Sequence, residues 1–400
     1  MSKVSKDLTL EKMGDAMELN FGPQHPSTHG VLRICLRLDG EIVIGAEAVI
    51  GYLHTGVEKE CETRTYHQVF TLVDRLDYLA GPAEEHAFAS AVERLMNTEV
   101  PRRAQVIRII LLELARIGSH LIWLGTSALE LNMSSVYMYC FAEREKILNL
   151  FEQYSGARMF PSCWRIGGLS HDLNPGFEQN LRLFLEGFPS FWKDIDRLLT
   201  DNYVWCERLQ GVAVLTLELC KQFMCTGPLM RSVGVPYDIR KNYPYSGYEE
   251  YQFAIPTEKE GDAYARYLIR MREMKESVTI IQQALVKLKP GPVLTDDRKV
   301  ALPPRRELAR SMEAVIHQFK LISEGIHPPK GEVYQCVESP RGELGMYLVS
   351  DGSPIPYRLR VRSPSFSHIQ VLQKVLIGLT VSDVVVAIAS MDPILGDVDR

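Results

Sequence analysis

The stretch after Pro101 constrains the fold most. Ile107, Ile110, Leu111, Leu114, Ile117, Leu121 and Leu124 recur there at steps of three and four. That spacing is one face of an α-helix and supplies a core stripe. Pro101 suits the first helical turn, where a missing N–H costs nothing. Arg108, Arg116 and His120 fall on another face, with Glu113 one turn from Arg116. They read as a polar stripe satisfied against a neighbouring helix rather than as catalytic groups. Val106–Leu131 and Val375–Met391 are the most apolar stretches, yet the first carries those four polar residues and the second carries Asp383. Both read as buried helices of a soluble core, not as membrane spans.

Around that helix the chain segregates its elements. Met17–Phe21 and two β-prone runs flanking Asp39-Gly40 predict a small N-terminal sheet, because Asp-Gly favours a two-residue hairpin turn. Helices are expected over Gly56–Tyr66, Gln68–Asp77, Pro82–Met96, Pro101 onward, Ser134–Tyr154, Phe177–Arg208, Glu260–Val286 and Arg305–Ser323. Thr226–Tyr251 is rich in Gly, Pro and Tyr without periodicity, so it reads as a long ordered loop. Gly331–Glu338, Gly342–Ser350 and Pro356–Val361 read as three strands, and two helices close the chain. The expected divisions are a polar arm over 1–16, a β unit over 17–55, a helical core over 56–325 and a C-terminal sheet with helices over 326–400. This is an α+β pattern: a central helical bundle with both β units at its edge. No G-x-G-x-x-G follows a strand and no P-loop is present, so the chain is not expected to bind NADH itself.

With 400 residues and a net charge of −5, the chain can bury a large core and has no basic block for nucleic acid. Its eight cysteines include no C-x-x-C, and the closest pair, Cys220 and Cys225, lacks the spacing of a zinc or iron–sulfur knuckle. They read as reduced thiols, and no metal is expected. Phe21-Gly-Pro-Gln-His25-Pro-Ser-Thr-His29-Gly30 is a stiff loop bearing two imidazoles. Pro26 lacks an N–H and pushes His25 towards an extended conformation. By itself the loop reads more readily as a tight turn whose histidines bond backbone.

FGPQHPSTHGVLR, GYLHTGVEKE, DRLDYLAG, EREKI, SGARM and the closing MDPILGDVDR together resemble the D, or 49-kDa, subunit family of bacterial NADH–quinone oxidoreductase, respiratory complex I. The resemblance runs from about Met17 to Arg400. It implies the fold of the nickel–iron hydrogenase large subunit. Those enzymes hold metal with two C-x-x-C pairs; the corresponding places here read Asp77-Tyr-Leu-Ala80 and Asp392-Pro-Ile-Leu395. Without thiolates a soft-metal site is excluded, and the resemblance implies that quinone occupies the cavity.

The same resemblance assigns roles. Tyr78 and His29 would hydrogen-bond the quinone headgroup and pass protons to it. His25 would shape the loop or line the cavity. Glu130 stands where the family has an aspartate paired with that histidine. Arg75 would lie near the terminal iron–sulfur cluster of the B subunit. Phe160 stands where many relatives have histidine near that cluster, and Thr55 where many have arginine. Iron–sulfur clusters, FMN and NADH would belong to the partners. The B and C subunits and the membrane-embedded H subunit would be neighbours, on the cytoplasmic side of the bacterial inner membrane. Two other readings stay open: a scaffold with a vestigial cavity, and the same subunit in a complex fed by another donor.

Overall fold

A computed structural model describes residues 16–25 and 30–400. Most of the expected N-terminal arm, and His29, lie outside the described residues. The chain is α+β. Strands β1 (Met17–Phe21), β2 (Arg33–Asp39) and β3 (Ile42–Val49) form an antiparallel sheet in sequence order. Ile34, Leu36 and Leu38 point into the core, while Arg33, Cys35 and Arg37 point away, as a two-residue period requires.

Helices α1 (Val57–Cys61), α2 (Tyr66–Val73), α3 (Gly81–Met96), α4 (Arg102–Glu130) and α5 (Ser134–Ser155) come next. A two-residue hairpin, β4 (Trp164–Arg165) and β5 (Gly168–Leu169), interrupts the expected loop. Then come α6 (Phe177–Leu199), α7 (Tyr203–Leu209), α8 (Leu217–Gln222), α9 (Pro228–Ser232), α10 (Ile239–Asn242) and α11 (Ala263–Lys287). Helices α12 (Arg305–Leu308) and α13 (Met312–Ser323) precede a second antiparallel sheet, β6 (Gly331–Ser339), β7 (Gly342–Ser350) and β8 (Arg358–Arg362). Helices α14 (Pro364–Val375), α15 (Val381–Met391) and α16 (Leu395–Asp399) end the chain.

Helix α4 is the axis of the molecule. It packs against α3, α5, α11 and α15, so it is buried on nearly every side through its middle turns. Its polar stripe is satisfied by neighbours. Arg108 donates to both oxygens of Glu93 at 3.0 and 2.6 Å, and also to the carbonyls of Arg165 and Gly168. Arg116 donates to the carbonyls of Glu338 and Ser339, and His120 Nε2 lies 2.9 Å from Glu273.

Four differences from the sequence reading have physical causes. The C-terminal sheet is not at the edge: β6 and β7 pack on α3, and most of β7 is buried. The loop over 226–251 contains α9, α10 and a 3-10 turn at Tyr248–Glu250, held by the buried arginines Arg231 and Arg240. The amphipathic helix α13 turns its apolar stripe outward, exposing Met312, Val315, Ile316, Phe319 and Ile322 while burying Ala314. Helix α16 is too short to carry a periodic signal, and Asp399 anchors it. That carboxylate accepts the N–H groups of Gly51 and Leu53 at 2.8 and 2.7 Å, tying the C-terminus to the end of the first β unit.

Candidate functional site

The segments Asp77–Ala80 and Asp392–Leu395 come together in space, and an arginine lies between them. Arg341, fully buried, donates to Asp77 Oδ2 at 3.0 Å, to Asp392 Oδ1 at 3.2 Å and to the Ser119 hydroxyl at 2.6 Å. One guanidinium thus bridges the α2–α3 connection, the α15 C-terminus and the middle of α4. Arg341 reaches this point from the β6–β7 turn, Ser339-Pro-Arg-Gly342. Its presence corrects the expectation of a cavity that merely lacks a metal: a cation fixed in the chain occupies the centre.

The turn bearing Tyr78 is built on the same carboxylate. Asp77 Oδ1 accepts the N–H groups of Leu79 and Ala80 at 3.1 and 3.2 Å, an aspartate turn that fixes the backbone on either side of Tyr78. Gly396 closes on the other side; a Cβ there would stand 2.5 Å from the Leu76 carbonyl and 3.4 Å from the Tyr78 ring. Tyr78 is half-buried. It shares a cleft with Leu79, Pro82, Ala115, Gly118, Arg144, Arg158 and other neighbours, of about 20 Å³. That is space for about one water. A ring-sized ligand does not fit this cleft as it stands.

Carboxylates outnumber cations here. Burial raises the pKa of Asp77, Arg341 opposes, and Asp392 adds to the rise. Glu84, in the first turn of α3, is pushed well above the usual carboxylate range by burial and then by Asp397 and Asp77, and its Oε2 has no hydrogen-bond partner. Burial brings Asp397 up to about 6. Glu85 is raised to about 8 by burial, although it accepts the N–H groups of Ser162 and Trp164. Asp74 is raised by burial too and accepts the Ser162 hydroxyl at 3.0 Å. At neutral pH Glu84 and Glu85 hold protons. Burial also raises the Tyr78 phenol, followed by the Asp77 charge, so Tyr78 stays a donor.

Arg75 and Phe160 meet at the surface. The Arg75 Cζ sits 5.6 Å from the Phe160 ring centroid, and Arg75 is exposed. His25 packs on Phe21 with ring centroids 4.2 Å apart, within a depression formed by residues 19–25. Glu130, the last residue of α4, lines a different depression with Trp123, Ser127 and Trp205. Gly118 shares the Tyr78 cleft, and Glu130 is twelve residues further along α4, about 18 Å along the helix axis. The structure thus joins Arg75 to Phe160 and leaves Tyr78, His25 and Glu130 in separate recesses.

A model of the 49-kDa subunit of respiratory-chain NADH dehydrogenase matches residues 130–400. The D subunit of NADH-quinone oxidoreductase from Protochlamydia amoebophila is 74% identical over all of both chains. The chain belongs to that 49-kDa, or D, subunit family. Other relatives bear the same subunit name. One from a Roseiflexus species is 52% identical over 96% of this chain and 93% of its own length, and one from Geobacter sulfurreducens is 48% identical over 96% and 99%. The chain is thus a subunit of a multi-subunit NADH–quinone oxidoreductase. Among its described residues no helix is long and apolar enough to cross a membrane.

Sequence reasoning passed over Arg341, Glu84 and Asp397. Arg341 sits in a hairpin turn, where arginine is ordinarily solvated, and nothing local marks it as buried. Glu84 looks like a carboxylate at a helix N-terminus, which needs no special role. Asp397 lies in MDPILGDVDR, a motif that carried the family resemblance but no role of its own.

Proposed function

We propose that this family member forms the quinone headgroup site of a proton-translocating NADH:quinone oxidoreductase, together with the iron–sulfur B subunit. The observation that carries the reading is the Tyr78 turn. It is locked to the Asp77–Arg341–Asp392 bridge, at the place of the lost metal site, and backed by carboxylates that hold protons at neutral pH.

Reduction of a quinone to a quinol takes two electrons and two protons. Tyr78 donates a hydrogen bond and then a proton to one carbonyl oxygen, and His29 serves the other. Glu130 is the carboxylate that sets the tautomer of His29 and steadies its charged form. The two electrons arrive from the partner's cluster at the surface marked by Arg75 and Phe160, where a cation favours an added negative charge. After proton transfer the tyrosinate regains its proton from the carboxyl group of Glu84. The fixed Arg341 charge limits the cost of the transient anion. The narrow cleft at Tyr78 fits a site whose remaining walls come from the B subunit. In this reading NADH, FMN and the clusters sit on other subunits, the C and H subunits are further neighbours, and the chain lies peripherally on the cytoplasmic face of the inner membrane.

Tyr78→Phe tests the reading. It keeps the ring and removes the proton, so quinone reductase activity should fall about 10²-fold or more while the complex still assembles and NADH still reduces its clusters. Full activity in the assembled variant would leave the chain as a scaffold.

A further inference from the structure

Two thiols meet at the end of a short helix outside this site. Helix α8 (Leu217–Gln222) ends with Met224 in the left-handed region, at φ 51°. The N–H of Met224 donates to the Lys221 carbonyl at 3.3 Å, and the N–H of Cys225 donates to the Cys220 carbonyl at 2.8 Å. A five-to-two bond nested inside a six-to-one bond is the Schellman termination, which brings the side chains of its two outer residues into contact. Here both outer residues are cysteines. They are 0% and 1% exposed, and the Cys220 thiol also reaches the Leu229 carbonyl at 4.0 Å. The adjacent Cys225 thiol draws the Cys220 thiol below its ordinary value, against burial and with help from the Arg266 guanidinium, while Cys225 itself is pushed up by Cys220 and by burial. The cover is thin. Met224, between them in sequence, is 69% exposed, and the helix beneath it is only six residues long.

The chain beyond Cys225 leads back to the site. The Thr226 hydroxyl accepts the N–H of Glu343 at 3.0 Å and Arg362 Nη1 at 3.2 Å. Gly227, at φ 65°, lies so close to the β6–β7 turn that a Cβ would stand 2.4 Å from the Arg341 carbonyl. The segment after the thiol pair is therefore clasped to the turn that carries Arg341.

We propose that Cys220 and Cys225 form a reversible disulfide with a hydroperoxide as oxidant, and that closing it loosens the clasp on the Arg341 turn. The Cys220 thiolate attacks one peroxide oxygen; the O–O bond breaks, the leaving oxygen departs as water, and Cys220 becomes a sulfenic acid. The Cys225 thiol attacks that sulfur; the S–S bond forms, the S–O bond breaks, and the thiol proton leaves with the departing oxygen as a second water. Two thiols lose two electrons, and one hydroperoxide is reduced to two molecules of water, or of water and alcohol. The six-to-one backbone bond already holds the two Cα atoms near the spacing a disulfide needs, roughly 4.4–6.8 Å. Closure shortens a non-bonded sulfur contact to about 2.0 Å. That draws Cys225 towards Cys220 and pulls Thr226 from Glu343.

The test uses the assembled complex treated with hydrogen peroxide, then unfolded, alkylated and digested with trypsin without reductant. Lys221 lies between the two cysteines, so a disulfide joins the peptides Leu209–Lys221 and Gln222–Arg231, which otherwise separate. The expected result is that linked pair, together with several-fold faster hydrogen exchange at the Glu343 amide. Both changes should be reversed by dithiothreitol and absent in Cys225→Ser. Alkylation of both thiols after peroxide overturns the proposal. So does sulfinic or sulfonic acid on either cysteine without linkage. Linkage with unchanged exchange at Glu343 overturns the coupling to the Arg341 turn.

Discussion

Two buried charge networks flank helix α4, and they differ in stoichiometry. In the first, Glu113 accepts Arg240 at 3.1 Å, Arg116 at 3.2 Å, the Tyr248 hydroxyl at 2.7 Å and the Ser277 hydroxyl at 2.6 Å. Arg240 also forks onto Asp238, and Arg231 pairs with Glu338 and Glu273. Burial alone would raise Glu113, Asp238 and Glu273. The arginines outweigh it and hold all three below the usual carboxylate range; only Glu338 is raised, by burial first and then by the Asp238 charge. In the second network a single arginine, Arg341, serves Asp77 and Asp392, while Glu84 and Asp397 crowd in behind. Those surplus acids are raised instead. A nearly matched network, three arginines to four carboxylates, keeps most of its charges and fixes four helices and a strand in place. An acid-rich one must hold protons, so it can trade them. Burial is the same in both; the ratio of cations to carboxylates separates a brace from a proton store.

The matched network should break hardest. Arg240→Met strands Asp238 and Glu113 in the core and should cost about 3–5 kcal/mol in chemical denaturation. The cost should change little with pH near neutrality, because Arg231 and Arg116 still hold those carboxylates ionised. A cost under about 1 kcal/mol would mean that solvent reaches the network and that the contrast is not one of charge matching.

The acid-rich network should show itself as a pH slope. Asp397 has a folded pKa of about 6 against an ordinary 3.8. The folded state therefore keeps a proton that the unfolded chain has released. Its contribution is full below the unfolded value and is lost as pH rises through the folded one. At about 1.4 kcal/mol per pKa unit, this removes roughly 3 kcal/mol across that window. Asp397→Asn should flatten stability between pH 4 and 6; unfolding midpoints measured at several pH values check it.

Arg341→Met sharpens the comparison from the other side. Its two carboxylates can protonate, so the loss should be smaller than at Arg240, about 2 kcal/mol near pH 8. It should shrink towards pH 5, because removing the guanidinium raises Asp77 further and a raised acid stabilises the folded state at low pH. A pH-independent loss would place Arg341 in the bracing class.

The smallest effect is expected at the surface. In the proposed complex, Phe160→His should give the partner's cluster a potential that falls as pH rises, because reduction adds negative charge and favours imidazolium. Arg75, 5.6 Å from the ring it replaces, disfavours that cation and shifts the slope to the acid side of the ordinary histidine range. Redox titration of the complex at several pH values reads it.

Much of the fold was legible because it rests on periodicity. The stripe from Ile107 to Leu124 and the alternation in β2 are local patterns that report which face is buried, whereas the hairpin turns at Gly40-Glu41, one residue later than the Asp39-Gly40 read from sequence, because Asp39 still pairs with Ile42. Helix α13 shows the limit. Its apolar stripe is as periodic as that of α4, yet it faces outward, because periodicity gives a face and not a direction. The site was legible in part. Tyr78, Arg75 and Phe160 stood in recognisable segments, but Glu130 and Tyr78 line separate recesses, and no spacing along the chain indicated that.

The sequence by itself determined the helical axis of the molecule, the two antiparallel units, the family and the absence of thiolates at Asp77–Ala80 and Asp392–Leu395. Each of these is written in residue type and short-range spacing. Only the tertiary structure decided what stands between those two segments. Arg341 is 264 residues from Asp77 along the chain and 51 from Asp392. Contact across such separations depends on how β6 and β7 pack over α3. The protonation of Glu84, Glu85 and Asp397 was decided there too. A carboxylate's pKa is set by the water it loses and the charges folded against it, and neither is a property of its neighbours in sequence.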